Sequence, residues 1–344
     1  MSQNAHFSVP DDELAAALAK LPSPPPETED VQLRRRVFDT MMLRLAEKND
    51  KPRLPPEDRY RIEDHTISVE GGEVTVRCVI PTSSNAASDG PAAHPLMVWA
   101  HGGGGFSGTM LQDDYFLRRL AVEFEITIVN VEYRLAPEYP FPAGFNDCYT
   151  ALKWAVENAS TINASPKRGL IVGGASAGGN IAAALALRAR DDSFFAQRNI
   201  RVTGQLLQFP KTVHIDADVE QYRSELLSWE QNKDAPFLSM SNLRFSAKLL
   251  KAPPSHPYHS VLLAPSHTGL APAFLQICGL DPLRDEGILY EKVLSKDGVR
   301  TRMCVYSGLP HGGHAVFGDT AIAKRFESDF EDGLRWLLSG EMEE

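Results

Sequence analysis

Residues 169–178 read Gly169-Leu170-Ile171-Val172-Gly173-Gly174-Ala175-Ser176-Ala177-Gly178, and Asn180-Ile181-Ala182-Ala183-Ala184-Leu185-Ala186-Leu187 follows at once. The apolar run predicts a buried strand and the small-residue run a helix. Between them lies a tight turn with Ser176 at its apex. A Gly-x-Ser-x-Gly turn between strand and helix has the pattern of a nucleophile elbow, whose strained backbone lifts a serine hydroxyl out of a sheet. Side chains two positions before and after the serine would collide with the turning chain, and glycine at 174 and 178 removes them. The helix beginning after Ser176 aims its N-terminal amides at the site, where they favour negative charge.

A second glycine cluster, His101-Gly102-Gly103-Gly104-Gly105, ends another apolar run, Pro95-Leu96-Met97-Val98-Trp99-Ala100. A glycine loop at a strand end can offer backbone N–H groups to an oxyanion. Elbow and loop together read as the two halves of a serine esterase site.

A serine hydroxyl is a weak nucleophile and needs a base, itself oriented by an acid. In elbow-type hydrolases the acid and then the histidine follow the serine along the chain. The histidines after residue 176 are His214, His256, His259, His267, His311 and His314. Only His311 and His314 follow a good strand, Thr301–Tyr306, and precede an amphipathic helix, Ala321–Leu338. His311 stands between Pro310 and two glycines, on a loop able to carry a side chain to a sheet rim. His314 reads as a solvated or packing residue, and His256 and His259, among prolines, read as structural.

The acid should end the preceding strand, Pro272–Gly279, and Asp281 stands there, before a proline that can open a helix at its first position. That position suits an N-cap equally well. Asp285 and Glu286 read as acidic charge favoured near the start of the same helix.

These motifs resemble the hormone-sensitive-lipase-like branch of the α/β-hydrolase esterases over most of residues 95–315. The resemblance rests on His101-Gly102-Gly103-Gly104, on Tyr133-Arg134-Leu135-Ala136-Pro137-Glu138 with Phe141-Pro142-Ala143, on Ser176-Ala177-Gly178-Gly179-Asn180, on Asp281-Pro282-Leu283-Arg284-Asp285-Glu286, and on His311-Gly312. It implies a mostly parallel eight-stranded sheet with helices on both faces and a helical cap. It makes Ser176 the nucleophile, Asp281 the acid and His311 the base, with the backbone N–H groups of Gly103, Gly104 and Ala177 as the oxyanion hole. Arg134 would be a structural ion-pair partner, and no cofactor or metal is implied. Three positions depart from the family pattern. Ala175 replaces an aspartate, and Gly105 and Gly313 stand where aromatics are usual. Each is expected to open space beside the serine.

Outside the motifs, Asp11–Lys20 and Val31–Lys48 predict two helices, joined by an extended Pro/Ser linker over Pro22–Pro26. A hairpin over His65–Ile80 opens the sheet, and residues 82–94 form a polar loop. From residue 95 strands alternate with helices, including a strand over Ile126–Val131, a helix over Asn146–Ala159 and a strand over Arg201–Gln208. Residues 212–260 interrupt the alternation. With residues 1–60 they are expected to form a cap over the strand ends, and 61–211 and 261–344 the two parts of the core. Trp229, Phe237, Met240, Leu243, Phe245, Leu249 and Leu250 are expected to pack that cap on the sheet.

A net charge of −10 argues against nucleic acid as a partner. Cys78, Cys148, Cys278 and Cys304 are scattered without metal-ligand spacing and read as reduced core thiols. No secretory signal and no membrane-spanning run is read, so the expectation is a cytoplasmic enzyme without stable membrane insertion, with a homodimer left open. The cap sequence between residues 220 and 234 is broken by charge, and no contiguous apolar face is read, so the expected substrates are esters of short to medium acyl chain rather than triglycerides. The same acyl-serine chemistry would serve an acyltransferase or an amide or lactone hydrolase. A non-catalytic receptor on this fold is disfavoured, because all three triad candidates are present.

Overall fold

A computed structural model describes residues 3–23, 28–82 and 93–340. Pro24–Pro26 of the expected linker and residues 83–92 of the expected polar loop lie outside them. In chain order the elements are α1 (Asp12–Leu18), α2 (Val31–Asn49), β1 (Tyr60–Val69), β2 (Gly72–Pro81), β3 (Leu96–Ala100), α3 (Asp114–Glu123), β4 (Thr127–Glu132), α4 (Ala143–Glu157), β5 (Leu170–Ala175) and α5 (Ala177–Asp191). There follow α6 (Ser193–Gln197), β6 (Gly204–Gln208), α7 (Ser228–Gln231), α8 (Met240–Leu250), β7 (Ala273–Leu280), α9 (Arg284–Lys296), β8 (Thr301–Pro310), α10 (Gly313–Val316) and α11 (Ala321–Ser339).

The eight strands form one sheet in the order β1-β2-β4-β3-β5-β6-β7-β8. β2 runs antiparallel to both its neighbours, and every pairing from β4 to β8 is parallel. Parallel strands need crossovers, and the crossover helices cover both faces. Along β3 the side chains alternate. Leu96, Val98 and Ala100 pack on the face carrying α4, α5 and α9. Met97 and Trp99 pack on the face carrying α3 and α11. This is why the strand reads as a continuous apolar run.

The expected strands and helices are present, with shifted ends. β8 continues to Pro310, directly before His311, and β6 begins at Gly204, where its pairing with β5 begins. Asp11, Asp30 and Thr320 cap α1, α2 and α11 by accepting from Leu14, Leu33 and Ala323. Cys78, Cys148 and Cys278 are buried free thiols, and Cys304 is half-buried.

Residues before β1 and those between β6 and β7 pack together. Lys248 pairs with Glu29 at 2.6 Å, and the Arg34 guanidinium sits 3.8 Å from the Phe245 ring centroid. Asp285 and Glu286 lie in the first turn of α9, as expected of charge at a helix start, and both are buried. Asp285 accepts from the backbone N–H groups of Leu227 and Ser228 and pairs with buried Arg284 at 2.8 Å. Glu286 accepts from Thr212 N, Val213 N and Trp229 Nε1. The two carboxylates tie the inserted segment to α9, and each backbone donor that they take is thereby satisfied.

Leu33, Val37 and Met41 stand exposed at four-residue spacing on α2, with Arg36 and Arg44 beside them. Among the described residues no helix is long and apolar enough to cross a membrane.

Candidate active site

Ser176 sits between β5 and α5 with φ 56° and ψ −115°, a conformation rare for a residue with a side chain. The surroundings hold it there. Its N–H donates to Gln208 O at 2.9 Å, and its carbonyl accepts from Asn180 N at 3.0 Å. A Cβ on Gly174 would lie 2.5 Å from Ala100 O, and one on Gly178 would lie 2.0 Å from the same oxygen. The elbow glycines are therefore required by close approach to the end of β3.

His311 follows β8, and its Nε2 lies 2.8 Å from Ser176 Oγ. On the other side its Nδ1 lies 2.6 Å from Asp281 Oδ2. With its proton on Nδ1, facing the carboxylate, the imidazole leaves Nε2 free to accept from the serine hydroxyl. Asp281 follows β7 directly and is 1 % exposed, whereas His311 keeps 12 % of its side chain exposed and so can meet a substrate. Asp281 is not the N-cap of α9, and its two oxygens have separate partners. Oδ1 accepts from Leu283 N at 2.8 Å in an Asx turn, and Oδ2 faces the histidine. The helix starts two residues after Pro282, with Leu283 as its N-cap.

The glycine loop after β3 lies against the elbow, since a Cβ on Gly102 would stand 3.7 Å from Ser176 Cβ. Gly103 O accepts from Phe106 N, Ser107 N and Ser107 Oγ, so this carbonyl points into its own loop. The N–H of a trans peptide points opposite to its carbonyl, which turns Gly104 N–H out of the loop. Gly104 O accepts from Ser246 Oγ of α8 at 2.6 Å. Ala177 is the first residue of α5, where an amide has no partner within its helix. Among the described residues, Gly103 N, Gly104 N and Ala177 N donate to no backbone acceptor outside the helices and strands.

The segment Tyr133–Glu138 braces this loop. Tyr133 donates its hydroxyl to His101 O at 2.8 Å and stacks on the His101 ring, and Ala136 N donates to Gly105 O at 3.0 Å. Arg134 forms a bidentate pair with buried Asp147, at 2.9 and 2.7 Å, which is the expected structural ion pair. From α2, Arg35 donates to Phe106 O and Ala136 O, and Asp39 accepts from Gly108 N. None of these tethers from α2 and α8 has a local sequence signal, because each joins residues distant along the chain.

Two of the expected open spaces are filled. A Cβ on Gly105 would lie 2.8 Å from Leu250 Cδ2, and one on Gly313 would lie 2.9 Å from Pro310 Cδ. Leu250 and Pro310 occupy the room that was expected to stand open. His314 is half-buried, with its Nδ1 inaccessible to solvent, and its imidazole is pushed down to about 3, first by desolvation and then by the neighbouring His311. His259 is buried with its Nε2 3.0 Å from Lys211 Nζ, and burial holds it well below the ordinary histidine value. Neither is part of the hydrogen-bonded row at Ser176.

Comparison with known proteins accords with this geometry. The sequence model of the alpha/beta hydrolase fold family matches residues 97–315. An AB hydrolase superfamily protein of Schizosaccharomyces pombe is 34 % identical over 337 residues, covering 97 % of this chain and 95 % of that protein. Carboxylesterase NlhH of Mycobacterium tuberculosis is 35 % identical over 281 residues, covering 78 % and 80 %. The crystal structure of vibralactone cyclase superposes with a TM-score of 0.92 at 41 % identity, covering 97 % and 96 %. With its strand–turn–helix around Ser176, its glycine loop and these relatives, the chain belongs to the α/β-hydrolase family, in the hormone-sensitive-lipase-like branch, and is a carboxylic ester hydrolase.

Proposed function

We propose that the protein hydrolyses esters of short to medium acyl chain through an acyl-serine at Ser176. His311 Nε2 takes the proton of the hydroxyl as Ser176 Oγ attacks the ester carbonyl. The carbonyl oxygen becomes an oxyanion, held by the N–H groups of Gly103, Gly104 and Ala177; one such donor is worth roughly 3–4 kcal/mol in the transition state. His311 then gives its proton to the leaving alcohol. Water, deprotonated by His311, attacks the acyl carbon; the bond to Ser176 Oγ then breaks, His311 returns the proton to that oxygen, and the acid leaves. Asp281 keeps the imidazole in the tautomer that accepts from serine and stabilises the imidazolium once formed. Residues 1–60 and 212–260 act as the cap over the core parts 61–211 and 261–344.

The observation that supports this reading most is the row Asp281 Oδ2, His311 Nδ1, His311 Nε2, Ser176 Oγ, with contacts of 2.6 and 2.8 Å. Ser176→Ala is expected to stay folded and to lose roughly a million-fold in kcat. A fluorophosphonate should label the wild type once, at Ser176; labelling elsewhere would overturn the assignment. In a p-nitrophenyl ester series, kcat/KM should peak at short or medium chains. A rise continuing to palmitate, with activation by an oil surface, would make the protein a lipase.

A second reading is favoured by the likeness to vibralactone cyclase, at 41 % identity over nearly the whole chain. A hydroxyl of the bound acyl group, in place of water, would attack the acyl-serine and close a lactone, with His311 taking the hydroxyl proton. Esters of hydroxy acids separate the two readings: free acid marks hydrolysis and lactone marks cyclisation.

A further inference from the structure

Two glycines stand just before the acid and the base, and both face the same piece of chain. A Cβ on Gly279, at the end of β7, would lie 2.1 Å from Phe7 O. A Cβ on Gly308, in β8, would lie 2.1 Å from Pro10 Cα. Residues 4–10 therefore pass in backbone contact with both strand ends, two residues before Asp281 and three before His311.

Hydrogen bonds fasten this strap. Buried Arg284 donates from Nη1 to Ser8 Oγ at 2.6 Å. The Ser8 hydroxyl, thus used as an acceptor, donates its own proton to Asn232 Oδ1 at 2.9 Å. This fixes which way the Asn232 amide points, since its oxygen must face Ser8. The Nδ2 group then donates to Asp281 O at 3.0 Å and reaches Gly279 O at 3.4 Å. Asn4 adds a bond from Nδ2 to Asp285 Oδ1 at 3.0 Å.

Both carboxylate oxygens of Asp281 are engaged, by Leu283 N and by His311, so the aim of that side chain follows its backbone. We propose that the strap Asn4–Pro10 is a positioning element of the triad, with Ser8 and Asn232 as positioning residues that hold the Asp281 backbone in register with His311. The inference rests on the triad reading above. Neither residue touches reacting atoms. They act by setting where the Asp281–His311 pair stands relative to Ser176.

The test uses the full chain, with kcat and KM for p-nitrophenyl butyrate expressed per site titrated by a fluorophosphonate, so that unfolded protein does not count. Misplacement by ~1 Å can cost roughly a hundredfold. Ser8→Ala and Asn232→Ala are each expected to lower kcat about tenfold, with KM within about twofold, a loss of positioning rather than of binding. The double variant should fall no further than the poorer single one, because both act through one chain of bonds. Ser8→Thr, which keeps the hydroxyl, should restore the rate. Unchanged kcat per titrated site in Ser8→Ala and Asn232→Ala, with only a lower melting temperature, would overturn the inference, as would equal losses in Ser8→Ala and Ser8→Thr. A wild type that the probe does not label at Ser176 would instead overturn the triad, and the inference with it.

Discussion

His314 lies flat on Phe326, with ring centroids 4.0 Å apart and planes 14° apart, although it stands only three residues beyond His311. His311 leaves β8 toward Ser176, and His314 turns inward at α10 among Phe209 and Phe326. Three residues of chain thus separate a histidine within hydrogen-bond distance of Ser176 Oγ from one packed against two phenylalanine rings.

The packing of His314 has a pH signature. His314 is kept neutral when folded, with its value pushed from 6.5 down to about 3, so only the unfolded chain takes up the proton in between. The contribution of neutral His314 is full above the unfolded value and is lost as pH falls below it. The slope is about 1.4 kcal/mol per pH unit for one such proton. His314→Phe, which keeps the stack, should therefore gain on the wild type by about that slope between about pH 6 and pH 4 in urea unfolding. A stability difference that does not change with pH would show that His314 is not held neutral.

The same contrast appears in turnover. His311→Ala should abolish fluorophosphonate labelling, and Asp281→Asn should cut kcat by about ten-thousandfold through the wrong tautomer. His314→Ala should keep most of its kcat per labelled site. Near-normal kinetics in His311→Ala would remove the histidine from the mechanism.

Asp285 separates a surface charge from a buried tether. Favourable charge at a helix start is worth under about 1 kcal/mol when exposed. Asp285 instead holds Leu227 N and Ser228 N and balances buried Arg284. Asp285→Ala leaves that guanidinium unpaired and should cost about 3–5 kcal/mol in denaturant unfolding. A loss below about 1 kcal/mol would return Asp285 to the helix-charge reading.

Gly178 and Gly312 test close approach against backbone strain. A Cβ on Gly178 would meet Ala100 O at 2.0 Å, whereas one on Gly312 would meet nothing within 4 Å, although its φ is 65°. Gly178→Ala should destabilise by about 3 kcal/mol or more. Gly312→Ala should cost only the left-handed penalty of about 1–2 kcal/mol. Melting curves of the two variants check the order, and equal shifts would count against the steric account of the elbow.

Much of this protein is local chemistry, and local chemistry is readable in the chain. The run Leu170–Val172 can only be a strand buried on both faces, and Gly174-Ala175-Ser176-Ala177-Gly178 needs its small residues for one turn. Asp281 and His311 were legible because each directly follows a strand, and strand ends in a parallel sheet share one rim. The tertiary structure alone decided what meets that rim from far away. Asp285 and Glu286 are legible as helix-start charges, but not as the acceptors on which the inserted segment lays its amide groups. Gly105 looks like open space until Leu250 fills it, and nothing in the chain marks Gly279 and Gly308 as the places where Phe7 and Pro10 press against the strands. Those contacts join residues up to about three hundred positions apart, and no periodicity or spacing encodes such a pairing. Shape and hydrogen-bond satisfaction in the folded chain select it.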